Sequence, residues 1–173
     1  MTKMARQVRG LLSGYRQAEL DFQRNHNIHA NSLIIDHLGI LIFGKSGFGK
    51  TTLMLSLLEQ AKAKNKFAAM IGDDQSLIIN ANNRLIAHCL RANEGKLEVR
   101  GFGIVNAHFL PSAVINLVVE IVPHENVDRM PEKNTKTIDG VQLPRIFVPR
   151  NDLNPSVQIT LAALADLKNV PLR

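Results

Sequence analysis

A glycine-rich segment, GKSGFGKT, covers residues 44–51 and matches the pattern GxxxxGK[ST] in full. In such a segment the glycines let successive backbone N–H groups turn inward, which forms an anion-binding nest at the start of a following helix. The lysine of the pattern reaches the β- and γ-phosphates of a nucleotide, and the adjacent hydroxyl binds Mg²⁺. The segment therefore predicts a phosphate-binding loop. Its residues are Gly44, Lys45, Ser46, Gly47, Phe48, Gly49, Lys50 and Thr51.

Two adjacent carboxylates, Asp73 and Asp74, follow the apolar stretch FAAMIG. A carboxylate at a strand end near a phosphate-binding loop can hold Mg²⁺, or it can accept a proton from an attacking hydroxyl group. An aspartate-rich turn after a strand has the same local sequence. These two residues alone leave the catalytic and the structural interpretation open.

Other polar residues carry little information by themselves. Taken alone, His29 is more typical of a hydrogen-bonded structural histidine than of a catalytic one. Arg129 taken alone is typical of a solvated surface charge. Glu98 and Arg100 would face the same side of a strand because they are two residues apart, where a surface ion pair competes with a role in a site. None of the histidines has the spacing of a metal site.

The elements that would position these residues follow from apolar periodicity. Two strands with a turn at residues 36–39 predict a hairpin that leads into the glycine-rich loop. A helix is predicted over 50–65, because apolar residues recur at helical spacing, and a short strand then ends at the two aspartates. The N-terminal residues 3–22 also have helical spacing, so 1–25 is expected to be a helical extension.

The rest of the chain is predicted to contain mostly strands. A hairpin is expected around Asn82 and Asn83, because asparagine tolerates the left-handed conformation of tight turns. Further predicted elements are a strand over 97–109, a buried strand over 113–123, a mobile loop over 123–140, an edge strand over 141–149 and a helix over 155–168. The predicted fold class is α/β: one P-loop kinase domain over 26–173 with a mixed, hairpin-rich sheet.

Composition narrows the functional classes. The chain has 173 residues and carries a net charge of +6, from 21 Lys and Arg against 15 Asp and Glu. This charge suits ATP, an acidic protein or nucleic acid, but basic and aromatic residues are not interleaved, so nucleic acid is not favoured. The single cysteine, Cys89, is predicted to be a buried apolar residue in a reducing cytosol. No secretory signal or membrane-spanning stretch is visible, which predicts a cytoplasmic protein.

In combination, the motifs resemble the catalytic domain of HPr kinase/phosphorylase, a bifunctional enzyme that acts on a serine of the phosphocarrier protein HPr. A histidine precedes the strand hairpin and loop in NIHANSLIIDHLGILIFGKSGFGK, and an Asp-Asp pair follows in MIGDDQSL. The most distinctive motif of the family is Glu-x-Arg-Gly-x-Gly-Ile, which LEVRGFGI matches. A later acidic-Arg pair corresponds to VDRM. The resemblance covers residues 27–149.

The resemblance implies a role for each matching residue. ATP phosphates bind the loop from Gly44 to Thr51, and Mg²⁺ is held by Thr51, Asp73 and Glu98. Asp74 acts as the general base towards the substrate serine, with His29 beside it, and Lys50 acts on the phosphates. Arg129 stabilises charge on the transferring phosphoryl group, and Arg100 and Gly101 belong to the signature segment. Membership also implies a fold like phosphoenolpyruvate carboxykinase, a homohexamer, and a carrier of the phosphotransferase system as partner.

The sequence departs from the family pattern in several places, which include a longer spacing from Lys50 to Asp74, and two of them bear on the chemistry. Thr52 stands where the family usually has glutamate, and VPRNDLNPS replaces a C-terminal loop that the family uses for dephosphorylation. The kinase reaction is therefore better supported than phosphate-dependent phosphorolysis. Two alternatives stay open: a small-metabolite kinase, although residues 123–140 contain only one arginine, and a non-catalytic nucleotide-binding regulator. A motor-type ATPase is not favoured, because no sensor region is visible.

Overall fold

The structure is a computed structural model, and it describes residues 26–168. The predicted helix over 3–22 and the extension over 1–25 lie outside these residues. Strands β1 (Asn27–Ile28), β2 (Asn31–Ile35) and β3 (Leu38–Phe43) open the described part. The predicted hairpin is confirmed: β2 and β3 pair antiparallel, and Asp36 takes the left-handed conformation that the two-residue turn requires.

Helix α1 (Lys50–Ala63) begins directly after the glycine-rich loop, and β4 (Ala68–Gly72) follows it, as predicted. The buried side chains of α1 recur every three or four residues, so one face of the helix packs on the sheet. These side chains are Leu53, Met54, Leu57 and Ala61. Because β4 pairs with β2, the end of β4 lies near the loop that follows β3.

The hairpin predicted around Asn82 and Asn83 is confirmed. It joins β5 (Ser76–Ala81) to β6 (Arg84–His88), and both asparagines have positive φ, +53° and +61°. This is the backbone conformation of a two-residue turn that matches the twist of the flanking strands. Strand β1 pairs antiparallel with β5.

The prediction of one strand over 97–109 is wrong. After a short 3₁₀ turn at Arg91–Asn93, the segment forms a separate hairpin of β7 (Lys96–Val99) and β8 (Gly103–Asn106). Gly101 and Gly103 have φ of +85° and +121°, and glycine adopts these values readily, so the chain reverses there. Arg100 therefore lies in the turn and does not share a strand face with Glu98.

Strand β9 (Ser112–Val122) is the buried strand that the sequence predicts. The mobile loop predicted over 123–140 is wrong in its second half. A 3₁₀ turn at His124–Asn126 is followed by a strand, β10 (Asn134–Ile138), that pairs antiparallel with β11 (Val141–Pro149). The Nζ atom of Lys136 on β10 lies 3.3 Å from Glu120 Oε2, which ties the polar strand to β9.

The prediction that β11 is an edge strand is also wrong, because β11 pairs with β10 and, in parallel, with β9. The pairing with β9 begins at Arg145, one residue after Pro144, so the missing N–H of the proline removes no bond from that ladder. Helix α2 (Leu153–Lys168) closes the described chain. Pro155 lies in its first turn, as predicted.

The described strands form a mixed sheet, which confirms the predicted α/β class. Nine of them pair in the order β1-β5-β6-β9-β3-β2-β4, with β11 also on β9 and β10 on β11. One apolar cluster lies between the sheet and the two helices, and a second includes Leu41, Ile71, Leu85 and Val118. Between residues 26 and 168, neither helix is long and apolar enough to span a bilayer.

The single cysteine is part of this packed structure. Cys89 is buried, and burial raises the pKa of its thiol. Burial likewise lowers the pKa of its neighbour His88. The prediction of a buried apolar cysteine is confirmed.

Candidate active site at the glycine-rich loop

The loop over residues 44–51 connects the end of β3 to the start of α1. Gly47 and Gly49 have φ of +79° and +95°, which a residue with a side chain rarely adopts. Gly49 immediately precedes α1 and offers no side chain to cap it, and the first turn of α1 contains no acidic residue. The N–H groups at the start of α1 are therefore available to an anion, at the positive end of the helix dipole.

Lys50 extends from the first residue of α1 towards Asp74, although its side chain is only 6% exposed. Its Nζ atom donates to the carbonyl oxygen of Gly44 at 3.2 Å and lies 3.0 Å from His29 Nε2 and 3.6 Å from Asp74 Oδ1. A buried ammonium group needs partners, and these three groups supply them. Lys50 thus connects the glycine-rich loop to the aspartate pair.

His29 Nε2 has two competing neighbours. It lies 3.0 Å from Lys50 Nζ and 3.4 Å from Asp74 Oδ1. An ammonium group can only donate, so Nε2 must be unprotonated to accept from Lys50, whereas it must carry a proton to donate to Asp74. The shorter distance favours the arrangement in which Nε2 accepts from Lys50.

Asp73 is the most heavily bonded carboxylate of the site. Its Oδ1 accepts from the Thr51 hydroxyl at 2.9 Å and from Asn31 Nδ2 at 2.7 Å, and its Oδ2 accepts from the Glu98 backbone N–H at 3.1 Å. These bonds join β4, α1, β2 and β7 at one point. The Thr51 hydroxyl donates a hydrogen bond to Asp73 and accepts one from Asn31 Nδ2, which leaves one lone pair of its oxygen able to bind a metal ion.

Asn31, at the start of β2, is a site residue that the sequence reasoning missed. Its side chain is fully buried. Besides its bond to Asp73, Nδ2 donates to Thr51 Oγ1 at 3.2 Å, and Oδ1 accepts from the Asp74 backbone N–H at 3.2 Å. The only signal in the sequence is a polar residue at the start of a predicted strand, which also fits an exposed strand position.

Asp74 is the open member of the pair, with a side chain that is 62% exposed. Its backbone has φ of +61°, and the bond from its N–H to Asn31 helps to hold this conformation. The carboxylate points towards Lys50 and His29 on one side and is accessible to solvent on the other. An incoming hydroxyl group can therefore reach it, whereas Asp73 is held by other site residues.

Several predicted site residues lie apart from this network. Glu98 reaches Asp73 through its backbone, and its side chain is exposed; Arg100 and Gly101 are exposed in the β7–β8 turn. Arg129 is exposed in the loop before β10, and no hydrogen bond or ion pair joins it to the described residues around the aspartates. Lys45 and Ser46 are also exposed, on the glycine-rich loop.

The predicted Mg²⁺ ligands are only partly brought together. Thr51 and Asp73 are bonded to each other, and Glu98 adjoins them through its backbone N–H. Within the part of the chain that the structure describes, no group of three His, Cys, Asp or Glu side chains could hold a metal ion by itself. Mg²⁺ commonly takes one or two protein oxygens and completes its shell with water and phosphate, so Thr51 and Asp73 are a suitable pair.

The fold and the site together define the structural class of the protein. It is an α/β domain with a mixed sheet, in which a P-loop-type segment faces an aspartate pair. A family model for the HPr Serine kinase C-terminal domain matches residues 21–169. The chain is 32% identical over 153 residues to the HPr kinase/phosphorylase of Mycoplasma mycoides, a match that covers 81% of this chain and 47% of the relative. It is 26% identical over 170 residues to the HPr kinase/phosphorylase of Lactobacillus acidophilus, a match that covers 91% of this chain and 50% of the relative.

A solved structure agrees with these relatives. The Hpr(Ser) kinase/phosphatase from Coxiella burnetii matches with a TM-score of 0.69 and 28% sequence identity, over 82% of this chain and 97% of that one. The chain belongs to the HPr Serine kinase C-terminal domain family. It spans about half the length of the curated relatives it matches.

Proposed function

We propose that the chain is an ATP-dependent kinase that phosphorylates a serine of an HPr-type carrier protein. The observation that carries this proposal is Lys50, whose buried ammonium group bridges the glycine-rich loop and the exposed Asp74 carboxylate. This arrangement brings a phosphate-binding element within reach of a candidate base. Family membership and the names of the relatives support HPr as the acceptor.

The donor side of the site suits a nucleoside triphosphate with Mg²⁺. The N–H groups of the loop and of the start of α1 would bind the phosphates, and Lys50 would neutralise charge on the β- and γ-phosphates. Thr51 and Asp73, which are hydrogen-bonded to each other, would provide two oxygen ligands for the ion. The Mg²⁺ ion supplies charge neutralisation on the phosphates when it is bound.

On the acceptor side, Asp74 would act as the general base. The serine oxygen attacks the γ-phosphorus, the bond from this phosphorus to the bridging oxygen of ADP breaks, and the serine proton passes to Asp74. The exposed carboxylate leaves space for the acceptor. In the reverse direction the protonated Asp74 would return the proton to the serine oxygen.

His29 would respond to the movement of Lys50. When phosphates draw the lysine towards the loop, Nε2 of His29 loses its closest partner and is left 3.4 Å from Asp74 Oδ1. A bond between them orients the carboxylate towards the acceptor. His29 is thus proposed as a positioning residue for the base.

Other family expectations are part of the same proposal. Glu98 and the Arg100–Gly101 turn would help to shape the acceptor side, and Arg129 would approach the transferring phosphoryl group with the acceptor in place. A cytoplasmic location, a homohexamer and a fold like phosphoenolpyruvate carboxykinase stay predictions from the resemblance. Thr52 and VPRNDLNPS weaken the expectation of phosphorolysis, because both depart from the family pattern.

The test is transfer of label from ATP to a purified HPr-type protein. We expect Asp74→Asn to lower the transfer rate by about 10²–10⁴-fold, the usual contribution of a general base, with nearly unchanged ATP affinity. The matched control is Asp166→Asn, an exposed carboxylate on α2. Unchanged transfer in Asp74→Asn would remove the proposed mechanism.

The same assay separates the rival functions. Wild-type protein that binds ATP but labels no HPr-type carrier would favour the nucleotide-binding regulator. Label found on a small molecule would favour the metabolite kinase. Adding inorganic phosphate to the phosphorylated carrier and scoring pyrophosphate release tests phosphorolysis.

A further inference from the structure

We propose that a pocket on the far side of the glycine-rich loop binds the nucleoside, the base and ribose, of the nucleotide. The pocket lies between the loop with the first turns of α1 and the segment that joins β11 to α2. It is lined by Phe48, Thr52, Leu53, Pro149, Asn151 and Asp152 among others, and we name it the β11–α2 pocket. This inference rests on the proposed function, because it assigns the remainder of the same nucleotide.

The position of the pocket fits the direction in which a bound nucleotide must run. Lys50 points to Asp74, so the reacting γ-phosphate lies at the aspartate end of the loop. The nucleoside must then leave from the other end of the phosphate chain. None of the side chains bonded around the aspartates lines the β11–α2 pocket, whereas Phe48, Gly49 and Thr52 of the loop region do.

The walls of the pocket suit a flat aromatic base. Leu53, Ile121 and Pro149 give it apolar sides. The half-buried Phe48 also lines it, and the guanidinium carbon of Arg150 lies over the Phe48 ring, 5.4 Å from its centre. An aromatic ring beside a guanidinium group is a favourable surface for base stacking.

Polar groups at the rim suit the hydroxyl and amino groups of a nucleoside. The Ser156 hydroxyl lies 2.9 Å from the backbone carbonyl oxygen of Pro149 and 2.7 Å from that of Asp152, and its one hydrogen is shared between them. These bonds fix the turn through Asn151 and Asp152 on the start of α2. Asn151 and Asp152 therefore line the pocket from a backbone that is held in place.

The size of the pocket limits the ligand. Its volume of about 280 Å³ lies just below the range of roughly 300–1,000 Å³ for small-molecule sites, so it suits one base with its ribose. Thr52 also lines the pocket, one residue after the predicted Mg²⁺ ligand Thr51. The hydroxyl of Thr52 would then lie where the α-phosphate joins the ribose.

The experiment compares two ligands by calorimetric titration in the presence of Mg²⁺: ATP, and tripolyphosphate, which has the phosphates without the nucleoside. We expect the wild-type protein to bind ATP about tenfold or more tightly than tripolyphosphate, in line with stacking of one base. Phe48→Ala is expected to weaken ATP binding about tenfold and tripolyphosphate binding less than about twofold. Phe67→Ala, at an exposed phenylalanine before β4, is the matched control.

A second variant protects the test if Phe48→Ala fails to fold, because Phe48 also packs against the apolar core. Asp152→Ala removes only a rim carboxylate, and we expect a selective loss of ATP affinity; Asp166→Ala is its control. Equal affinity of wild-type protein for ATP and tripolyphosphate, or equal losses for both ligands in the variants, overturns the proposal. If the wild-type protein binds neither ligand, both the assignment of the pocket and the proposed function are excluded. If the protein binds ATP with the expected selectivity but transfers no phosphoryl group, the assignment of the pocket stands and only the proposed kinase activity is excluded.

Discussion

The fully buried amide of Asn31 is the residue that joins the parts of the candidate site. It donates to Asp73 and Thr51 and accepts from the backbone of Asp74. These groups belong to two parts of the proposed reaction, since Thr51 and Asp73 are the proposed metal ligands and Asp74 is the proposed base towards the acceptor. Residues of this kind orient the groups that bind the metal or react, and their mutation commonly lowers metal affinity or activity 10–100-fold.

Asn31→Ala is therefore expected to lower phosphoryl transfer about 10–100-fold and to raise the Mg²⁺ concentration needed for half-maximal transfer. The variant also leaves the Asp74 N–H without its partner, which should cost about 1–3 kcal/mol of unfolding free energy. Kinetics over a Mg²⁺ series, with urea unfolding in parallel, measure both effects. Asn126→Ala, an exposed asparagine, is the control. An unchanged Mg²⁺ dependence would mean that Asn31 is only structural.

At the scale of elements, the β7–β8 hairpin contacts the site through a hydrogen bond, which the Glu98 N–H donates to Asp73. Its turn depends on Gly101, whose φ is +85°, and no described atom lies within 4 Å of the position that a Cβ would take. A substitution there meets backbone strain and no steric obstacle. The turn can thus be strained at Gly101 without a steric clash.

Gly101→Ala should cost about 1 kcal/mol and slow transfer to the carrier, because the strained turn shifts the hairpin that reaches Asp73. Gly140→Ala is the matched control, since Gly140 has φ of +78° in the turn between β10 and β11. Both variants should lose similar stability in thermal unfolding. Equal transfer rates in the two would refute a role for the hairpin in the site.

The β2–β3 turn is joined to the end of α2 by an ion pair between Asp36 and Lys168. The hydrogen bond from Lys168 lowers the pKa of the Asp36 carboxyl below its usual value of 3.8. A lowered pKa in the folded state stabilises the protein at neutral pH, and this contribution is lost as the pH falls through that lowered pKa.

Asp36→Asn keeps a residue that tolerates the left-handed turn conformation but removes the charge. We expect it to lower the unfolding free energy at pH 7 by up to about 1 kcal/mol, as for other partly exposed pairs. The difference from wild type should shrink as the pH falls below about 3.8. Urea unfolding at several pH values measures it, with Asp166→Asn as control. A difference that is constant with pH would exclude the ion pair as its cause.

At the scale of the whole molecule, the sequence predicts the structural features that depend on neighbouring residues in the chain. The asparagine turn at 82–83, the glycine-rich loop and the helix after it are set by backbone preferences and apolar periodicity, and the structure confirms them. Strand β10 was missed because its sequence, NTKTI, is polar and forms a strand only through pairing with β11 and the contact of Lys136 with Glu120. The pairing with β11 is local, across the turn at Asp139 and Gly140, whereas the contact of Lys136 with Glu120 joins residues 16 positions apart.

The candidate site shows the same division. The positions of Lys50, Thr51, Asp73 and Asp74 follow from the loop and from the strand that ends beside it. Asn31 was missed because burial of a polar side chain depends on the assembled sheet. Arg129 lies apart from the network in a loop whose position the sequence does not determine.

The central claim is that this site transfers a phosphoryl group from ATP to a serine of an HPr-type protein. The most direct measurement is mass spectrometry of such a protein after incubation with the chain, ATP and Mg²⁺, with the modified residue mapped by fragmentation. We expect one added phosphoryl group on a serine, formed by the wild-type chain and greatly reduced with Asp74→Asn. An unmodified carrier, or phosphorylation that persists undiminished in Asp74→Asn, would contradict it.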